Sequence, residues 1–208
     1  MAAQDARVAV IYYSATGHVY RLAQAFAEGA ADAGAEVRLR KVAELAPDAA
    51  IDSNPDWRAH LDATAHIQEV TLDDLAWANG YAFGTPTRFG NISSQLRQFL
   101  DTTTSLWQTD ALANDPATGF TSTHHAHGGQ ESTLLSLYNT LHHWGSIILP
   151  TGYVNYDLAT ASGGNPYGIS LVEEQAHDEA YVKSVLDAAR HQAGRLAEAA
   201  AALSPLGS

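Results

Sequence analysis

The stretch Val8-Ala-Val-Ile-Tyr-Tyr-Ser-Ala-Thr-Gly-His-Val19 restricts this chain to few architectures. It opens on an apolar run, rich in β-branched and aromatic residues, that is too short for a helix and suits a buried strand. Ser14, Ala15, Thr16, Gly17 and His18 break that run with small residues, two hydroxyls and a glycine. From Val19 the period changes. Val19, Leu22, Ala23, Phe26 and Ala27 recur at helical spacing as far as Ala30, while Arg21, Gln24 and Glu28 face elsewhere. A strand, a hydroxyl-rich turn and a helix start bring free backbone N–H groups and the positive end of a helix dipole to one point, which suits an anion. An ordinary turn with Ser14 or Thr16 as the helix cap satisfies the same residues. The segment alone leaves both readings open.

The rest of the chain repeats the alternation. After Gly34, Ala35 to Val42 places Val37 and Leu39 on one side and Glu36, Arg38 and Arg40 on the other, a half-covered strand nearer the sheet edge than its centre. Residues 43–70 form a long excursion, with Pro47, Asp52, Asn54 and Pro55 in loop and a short helix expected within Trp57–Ile67. Such excursions tend to serve function or an interface. Thr71 with Asp74 reads as a capping box. Tyr81–Gly84 is a third strand, followed by the Thr85–Gly90 turn and a helix that Asn91 can cap, with Ile92, Leu96, Phe99 and Leu100 on one face. Thr118–Thr123 is a fourth strand, leading through His124–Gly129 into a helix from Gln130. Ser146–Leu149 is the fifth, stopped by Pro150. Residues 151–177 show no period and read as a second long loop. The final helix spans Asp178 to Leu203 and ends at Pro205 and Gly207. With no repeat and no linker, residues 1–208 are expected to form a single α/β domain, a doubly wound five-stranded parallel sheet with helices on both faces.

In such sheets ligands sit beyond the carboxyl ends of the strands, where strand order reverses. Three loops reach that edge with similar chemistry: Ser14–His18, Thr85–Gly90 and Ser122–Gly129, all hydroxylated and glycine-bearing. Three donor-rich loops favour a phosphorylated planar cofactor over a lone phosphate. The formal net charge of −12 opposes nucleic acid and anionic membrane surfaces, so a phosphate must be held by local donors. The absence of cysteine excludes disulfides and thiolate chemistry. Met1–Arg7 lacks the regions of a signal peptide and no apolar run reaches membrane-spanning length, so a cytoplasmic protein is expected. No G-x-G-x-x-G follows the first strand and no G-x-x-x-x-G-K-[ST] occurs, which disfavours dinucleotide and nucleoside triphosphate sites. Neutral hydroxyls and amides suit the phosphate of FMN, the ligand of the flavodoxin-like fold with strand order 2-1-3-4-5.

The motifs Tyr12-Tyr-Ser-Ala-Thr-Gly-His18, Phe83-Gly-Thr-Pro-Thr-Arg-Phe-Gly-Asn91, Gln95-Leu-Arg-Gln-Phe-Leu-Asp101, Leu106-Trp107, Phe120-Thr-Ser-Thr123, His127-Gly-Gly-Gln-Glu131, His142-His143 and Pro166-Tyr-Gly168 closely resemble the WrbA family. These are flavodoxin-like NAD(P)H:quinone oxidoreductases, and the resemblance runs from Val8 to the last helix. It implies FMN as cofactor, NADPH or NADH as electron donor, and two-electron reduction of quinones. It places Ser14, Ala15, Thr16, Gly17, His18 and Val19 around the FMN phosphate and ribityl chain. Thr85, Pro86, Thr87, Arg88, Phe89 and Gly90 then lie along the isoalloxazine edge. Further contacts fall to Ser122, Thr123, His124, His125, Ala126, His127 and Gly128. His143 approaches from the helix-to-strand side as a candidate proton donor, since imidazole titrates near neutrality. Trp107 forms a wall where quinone or nicotinamide stacks. The family resemblance also implies a homodimer or homotetramer whose neighbouring subunits complete each pocket. A shared flavin face implies ping-pong kinetics. Two departures stand out: Thr16 occupies a position where family members often place tyrosine, and His124–His127 is richer in histidine than the usual pattern.

Other readings of the same residues exist. Trp107 suits a core and Arg88 a surface. His124, His125, His127, His142 and His143 raise a metal site, but the first three lie in a loop, and none is expected. A one-electron carrier served by a partner reductase fits the fold and charge. The family's older description as repressor-binding proteins suggests a regulatory role, yet no segment resembles a DNA-contacting element.

Overall fold

The computed structural model describes residues 5–204, so Pro205 and Gly207 lie outside it. The first strand, β1 (Arg7–Tyr12), is buried along all but its first residue. Its side chains alternate between two cores, Val8, Val10 and Tyr12 in one and Ala9 and Ile11 in the other. That double burial explains the continuous apolar run and forces the following segments onto both faces. They are α1 (His18–Asp32), β2 (Glu36–Lys41), α2 (Asp48–Asp52), α3 (Pro55–Ala63), α4 (Leu72–Trp77), β3 (Gly80–Pro86), α5 (Ser94–Asp101), α6 (Thr104–Trp107) and β4 (Pro116–Thr123). After them come α7 (Gln130–Trp144), β5 (Ile147–Ile148), α8 (Tyr156–Ala161), β6 (Ile169–Val172) and α9 (Glu179–Leu203). None of these helices is long and apolar enough to cross a membrane.

The strands run parallel in the order β2-β1-β3-β4-β5, as expected, with β6 added beside β4. The sheet therefore has six strands, not five. β5 pairs only with Pro116 and Ala117, at the start of β4, whereas β6 pairs with Phe120 to Thr123 at its end. The two pieces fill one position, and the chain loops out between them through α8. Reading residues 151–177 as loop missed β6 because four residues with a buried serine carry no usable period; Ser170 Oγ accepts from Asn165 Nδ2 at 2.6 Å.

Local signals mostly place the helices. The Thr71 N–H donates to Asp74 Oδ2 at 3.0 Å, the expected capping box. Asp178 caps α9 through bonds from Ala180 and Tyr181. At α5 the cap is Ser93, whose Oγ accepts from the Leu96 N–H at 3.3 Å, and not Asn91, which closes a hairpin instead. In the long excursion the helix starts earlier than Trp57, at Pro55, and α2 precedes it.

One core packs α1 and α9 against the sheet through Leu22, Phe26, Phe120, Val185 and Leu196; the other packs α5 and α7 through Phe83, Leu96, Leu134, Leu137 and Leu141. Gly29 permits the α1–α9 approach, since a Cβ there would lie 2.3 Å from the Arg190 carbonyl oxygen. Gly194 has no such neighbour: its Cβ would sit 3.8 Å from the Gly29 oxygen, an ordinary contact. Gly29→Ala is expected to destabilise the fold by about 2 kcal/mol, because backbone must move. Gly194→Ala, in a helix interior, is expected to stabilise it by up to about 1 kcal/mol. Chemical unfolding curves measure both, and equal effects would overturn this account of the crossing.

Candidate functional site

Two long helices begin at the carboxyl edge of the sheet on left-handed glycines. Gly17 (φ 96°) starts α1 and Gly129 (φ 95°) starts α7, and neither helix has a side-chain cap. Helices α3, α5, α8 and α9 are all capped by side chains, from Asn54, Ser93, Asn155 and Asp178. Ser14 Oγ accepts from the Gly17 N–H at 3.1 Å, so it shapes the loop and leaves the first turn of α1 uncapped. His18 Nδ1 is buried with no hydrogen-bond partner. The cap reading of Ser14 and Thr16 is thereby removed. The first turn of α1 presents donors and a positive dipole end to whatever lies in front of it.

In front of it lies a cavity of about 280 Å³. Ser14, Ala15, Thr16, His18 and Val19 line one side, with Pro86 and Arg88 from the loop after β3 and Ser122 from the end of β4. It sits between β1 and β3, where the connections leave in opposite directions, the switch point of a doubly wound sheet. Eight of the expected site residues thus meet around one space.

Three lining residues escaped the sequence reading: Asn54, Trp57 and Glu173. The available signal for the first two was the long excursion itself, and Glu173 follows the unrecognised β6. Glu44 pins the excursion in place. Its carboxylate accepts from the Tyr13 hydroxyl (2.8 Å), Trp57 Nε1 (3.0 Å), Gln95 Nε2 (2.9 Å) and the Leu45 and Ala46 N–H groups. Burial pushes the Glu44 carboxyl up, but the donors from Ala46, Gln95, Tyr13 and Trp57 outweigh it and hold it below the ordinary value. Burial and the bond to Glu44 push the Tyr13 hydroxyl up, so it stays a neutral donor.

The remaining loop residues shape the rim. Thr85 is fully buried and accepts from the Ser93 N–H at 2.9 Å, which makes it structural. Thr87 joins the loops: its N–H donates to the Ser122 carbonyl (2.9 Å), and its hydroxyl lies 2.7 Å from Thr133 Oγ1. Arg88 and Asn91 exchange both backbone bonds around Phe89 (φ 53°) and Gly90 (φ 76°), a two-residue turn with both central residues left-handed. Its tip presents the Phe89 ring wholly to solvent, a costly backbone for a bulky residue. Beyond Thr123, His124, His125, Ala126 and His127 are exposed. At Gly128 a Cβ would fall 1.8 Å from Thr123 Oγ1, so the close turn requires glycine.

Trp107 and His143 are elsewhere. They line a separate hollow of about 230 Å³ with Leu100, Asp101, Thr103, Thr104 and Trp144. α7 leaves the carboxyl end of β4 and returns to the start of β5, so His143, in its last turn, lies towards the amino edge of the sheet. The structure brings Trp107 and His143 to each other and not to the Ser14 cavity of the same chain. Trp107 is 48% exposed, which removes its reading as core. His142 and His143 are likewise separated from the histidines after β4 by the length of α7.

Residues 6–161 match the family model described as NADPH-dependent FMN reductase. The NAD(P)H dehydrogenase (quinone) of Deinococcus radiodurans is 42% identical over 197 residues, spanning 95% of this chain and 96% of that protein. NAD(P)H dehydrogenase (quinone) 3 of Rhizobium meliloti is 41% identical over 202 residues, spanning 95% and 93%. The solved structure of a flavodoxin, WrbA-like protein from Agrobacterium tumefaciens superposes with a TM-score of 0.64 at 23% identity, covering 95% of this chain and 99% of that one. The extent of these matches, over the loops that build the cavity, means that the chain belongs to the NADPH-dependent FMN reductase family.

Proposed function

We propose that this chain is an FMN-dependent NAD(P)H:quinone oxidoreductase that transfers two electrons at a time. The observation that carries this reading is the uncapped start of α1, opening on a cavity built by the loops after β1, β3 and β4. The residues suit the cofactor. The donors of the Ser14–Val19 loop match a phosphate, and the unpartnered His18 Nδ1 offers one more polar contact. Bound FMN supplies hydride acceptance and two-electron delivery.

The protein's share is binding, orientation and electrostatics. Ser14, Thr16, Gly17 and His18 would hold the phosphate end through hydroxyls, backbone N–H groups and imidazole, local donors that offset the unfavourable net charge of −12. Trp57 and Pro86 wall the cavity, and Glu44 keeps Trp57 in position. The N–H groups of Thr87, Arg88 and Gly90 are committed to Ser122, Asn91 and Thr87, so these loops would chiefly orient a bound ring. Arg88 stands at the cavity with its Nη1 held on the Thr87 carbonyl at 3.0 Å, within reach of an anionic nicotinamide donor. Donor and acceptor use one opening, so they occupy it in turn, which gives ping-pong kinetics.

Trp107 and His143 enter this scheme from a neighbouring copy. Their separate, open hollow and the exposure of Trp107 support a homodimer or homotetramer in which one chain covers the flavin of another. His143 is then the candidate proton donor. A cytoplasmic setting, where nicotinamide donors are available, belongs to the same reading.

Purified protein is expected to take up FMN in preference to riboflavin and to oxidise NADPH or NADH with benzoquinone alone. Failure to bind FMN would sink the reading, and a requirement for a separate reductase would make the chain a carrier. Thr16→Glu is expected to weaken FMN binding about tenfold or more by charge repulsion, roughly 1.4 kcal/mol. Unchanged affinity in a fluorescence titration would mean that the phosphate lies elsewhere.

The Glu44 pin has its own signature. Because folding lowers the Glu44 pKa, its stabilisation is complete above the ordinary value of 4.5 and fades as pH falls through the lower folded value. Glu44→Gln should therefore lower the Tm by about 2–4 °C at pH 7, for a loss of about 1 kcal/mol. The gap from wild type should shrink in strong acid. A gap independent of pH would show that the charge is not what holds the excursion.

A further inference from the structure

The histidine-rich loop after β4 faces a segment that sequence alone does not bring near it. The 3-10 turn Glu173–Gln175 follows β6, and its Glu174 N–H donates to the His124 carbonyl at 3.1 Å. That backbone bond sets two imidazoles beside two carboxylates. His125 Nδ1 lies 2.8 Å from Glu174 Oε1, and His124 Nδ1 lies 3.6 Å from Glu173 Oε2. The His124 and His125 rings meet edge to face with centroids 4.5 Å apart. Ligand atoms of His124, His125 and Glu174 all fall within 4.8 Å of one another. Donors on a tetrahedral zinc-type ion stand about 3.4 Å apart, given bonds of about 2.1 Å. Rotation of exposed side chains closes the difference.

We propose that His124, His125 and Glu174 bind one divalent transition-metal ion of the zinc class, with water completing its coordination. Two imidazoles and a carboxylate select that class over magnesium or calcium, which prefer all-oxygen shells. Glu173 acts from outside the shell. It faces His124 Nδ1, leaving the other ring nitrogen for the ion, and its Oε1 accepts from Ser122 Oγ at 3.3 Å. The loop backbone is already fixed: the Gly128 N–H donates to the His125 carbonyl at 3.0 Å, and Gln130 Nε2 to the Ala126 carbonyl at 2.6 Å. Binding therefore orders side chains and little else. Since Ser122 and Glu173 line the main cavity, the ion fastens two segments of its rim, the loop after β4 and the turn after β6. The proposal stands without the flavin reading, because it concerns the chain alone.

Calorimetric titration of the full chain with zinc chloride at neutral pH tests it. One ion should bind per chain, with affinity at least tenfold weaker in His125→Ala and in Glu174→Gln and unchanged in His66→Ala, an exposed histidine outside the group. Excess zinc should also raise the Tm of the wild type and leave that of the His125→Ala/Glu174→Gln double variant unmoved. Absence of saturable binding, equal affinity in all variants, or tighter binding of magnesium than of zinc would overturn the proposal. Circular dichroism establishes that each variant is folded; all the substituted groups are solvent-exposed.

Discussion

The carboxyl edge of this protein depends on two helix starts that are not closed by their own side chains. A left-handed glycine turns the chain sharply into α1 and again into α7, and neither glycine offers a side chain to cap the helix it starts. Orphan N–H groups are costly when buried without a partner. The other helices of eight or more residues, α3, α5 and α9, are capped by side chains, which sets these two starts apart. The burial of β1 on both faces directs the two ends to the same side. Parallel pairing follows from that burial, and each crossover then begins its helix at the carboxyl edge.

Around those ends, polar atoms are used to fix loops in place. Thr87 and Thr133 hold the loop after β3 against the start of α7, and Glu44 gathers donors from the end of β1, from α3 and from α5. A carboxylate with that many donors is rigid, and Trp57 inherits its rigidity. The cavity wall is therefore made by a segment with few apolar anchors of its own; no residue of α3 is buried.

The alternation of strands and helices and the three loops at the carboxyl edge are legible because each rests on local chemistry: apolar runs, glycines at turns and hydroxyls at strand ends. Strand order and the residue-by-residue site came with the family resemblance. The failures have a common cause. Trp57 is brought to the cavity by Glu44 and Glu173 by Ser122, tertiary contacts that no period records. β6 was invisible because its partner, the end of β4, selects it by pairing and not by pattern. Ser93 displaced Asn91 as a cap because the intervening residues were needed for the Phe89–Gly90 turn. Trp107 and His143 carry motifs of the family but lie apart from the Ser14 cavity within one chain. A linear sequence does not state whether two motifs meet within one chain or across two.

The division of the last sheet position between β5 and β6 has a consequence for solubility. An open parallel sheet exposes a strand at each side, and a continuous exposed strand is a template for another chain. Here one border, β2, is Glu-Val-Arg-Leu-Arg-Lys, with charge at four of six positions. The other border is cut into pieces of two and four residues with a helical insert between them. Neither side offers a long, flat, neutral ladder. A sheet with a strongly apolar centre is thus protected from stacking edge to edge with its own copies, and any assembly it forms must use helices and loops.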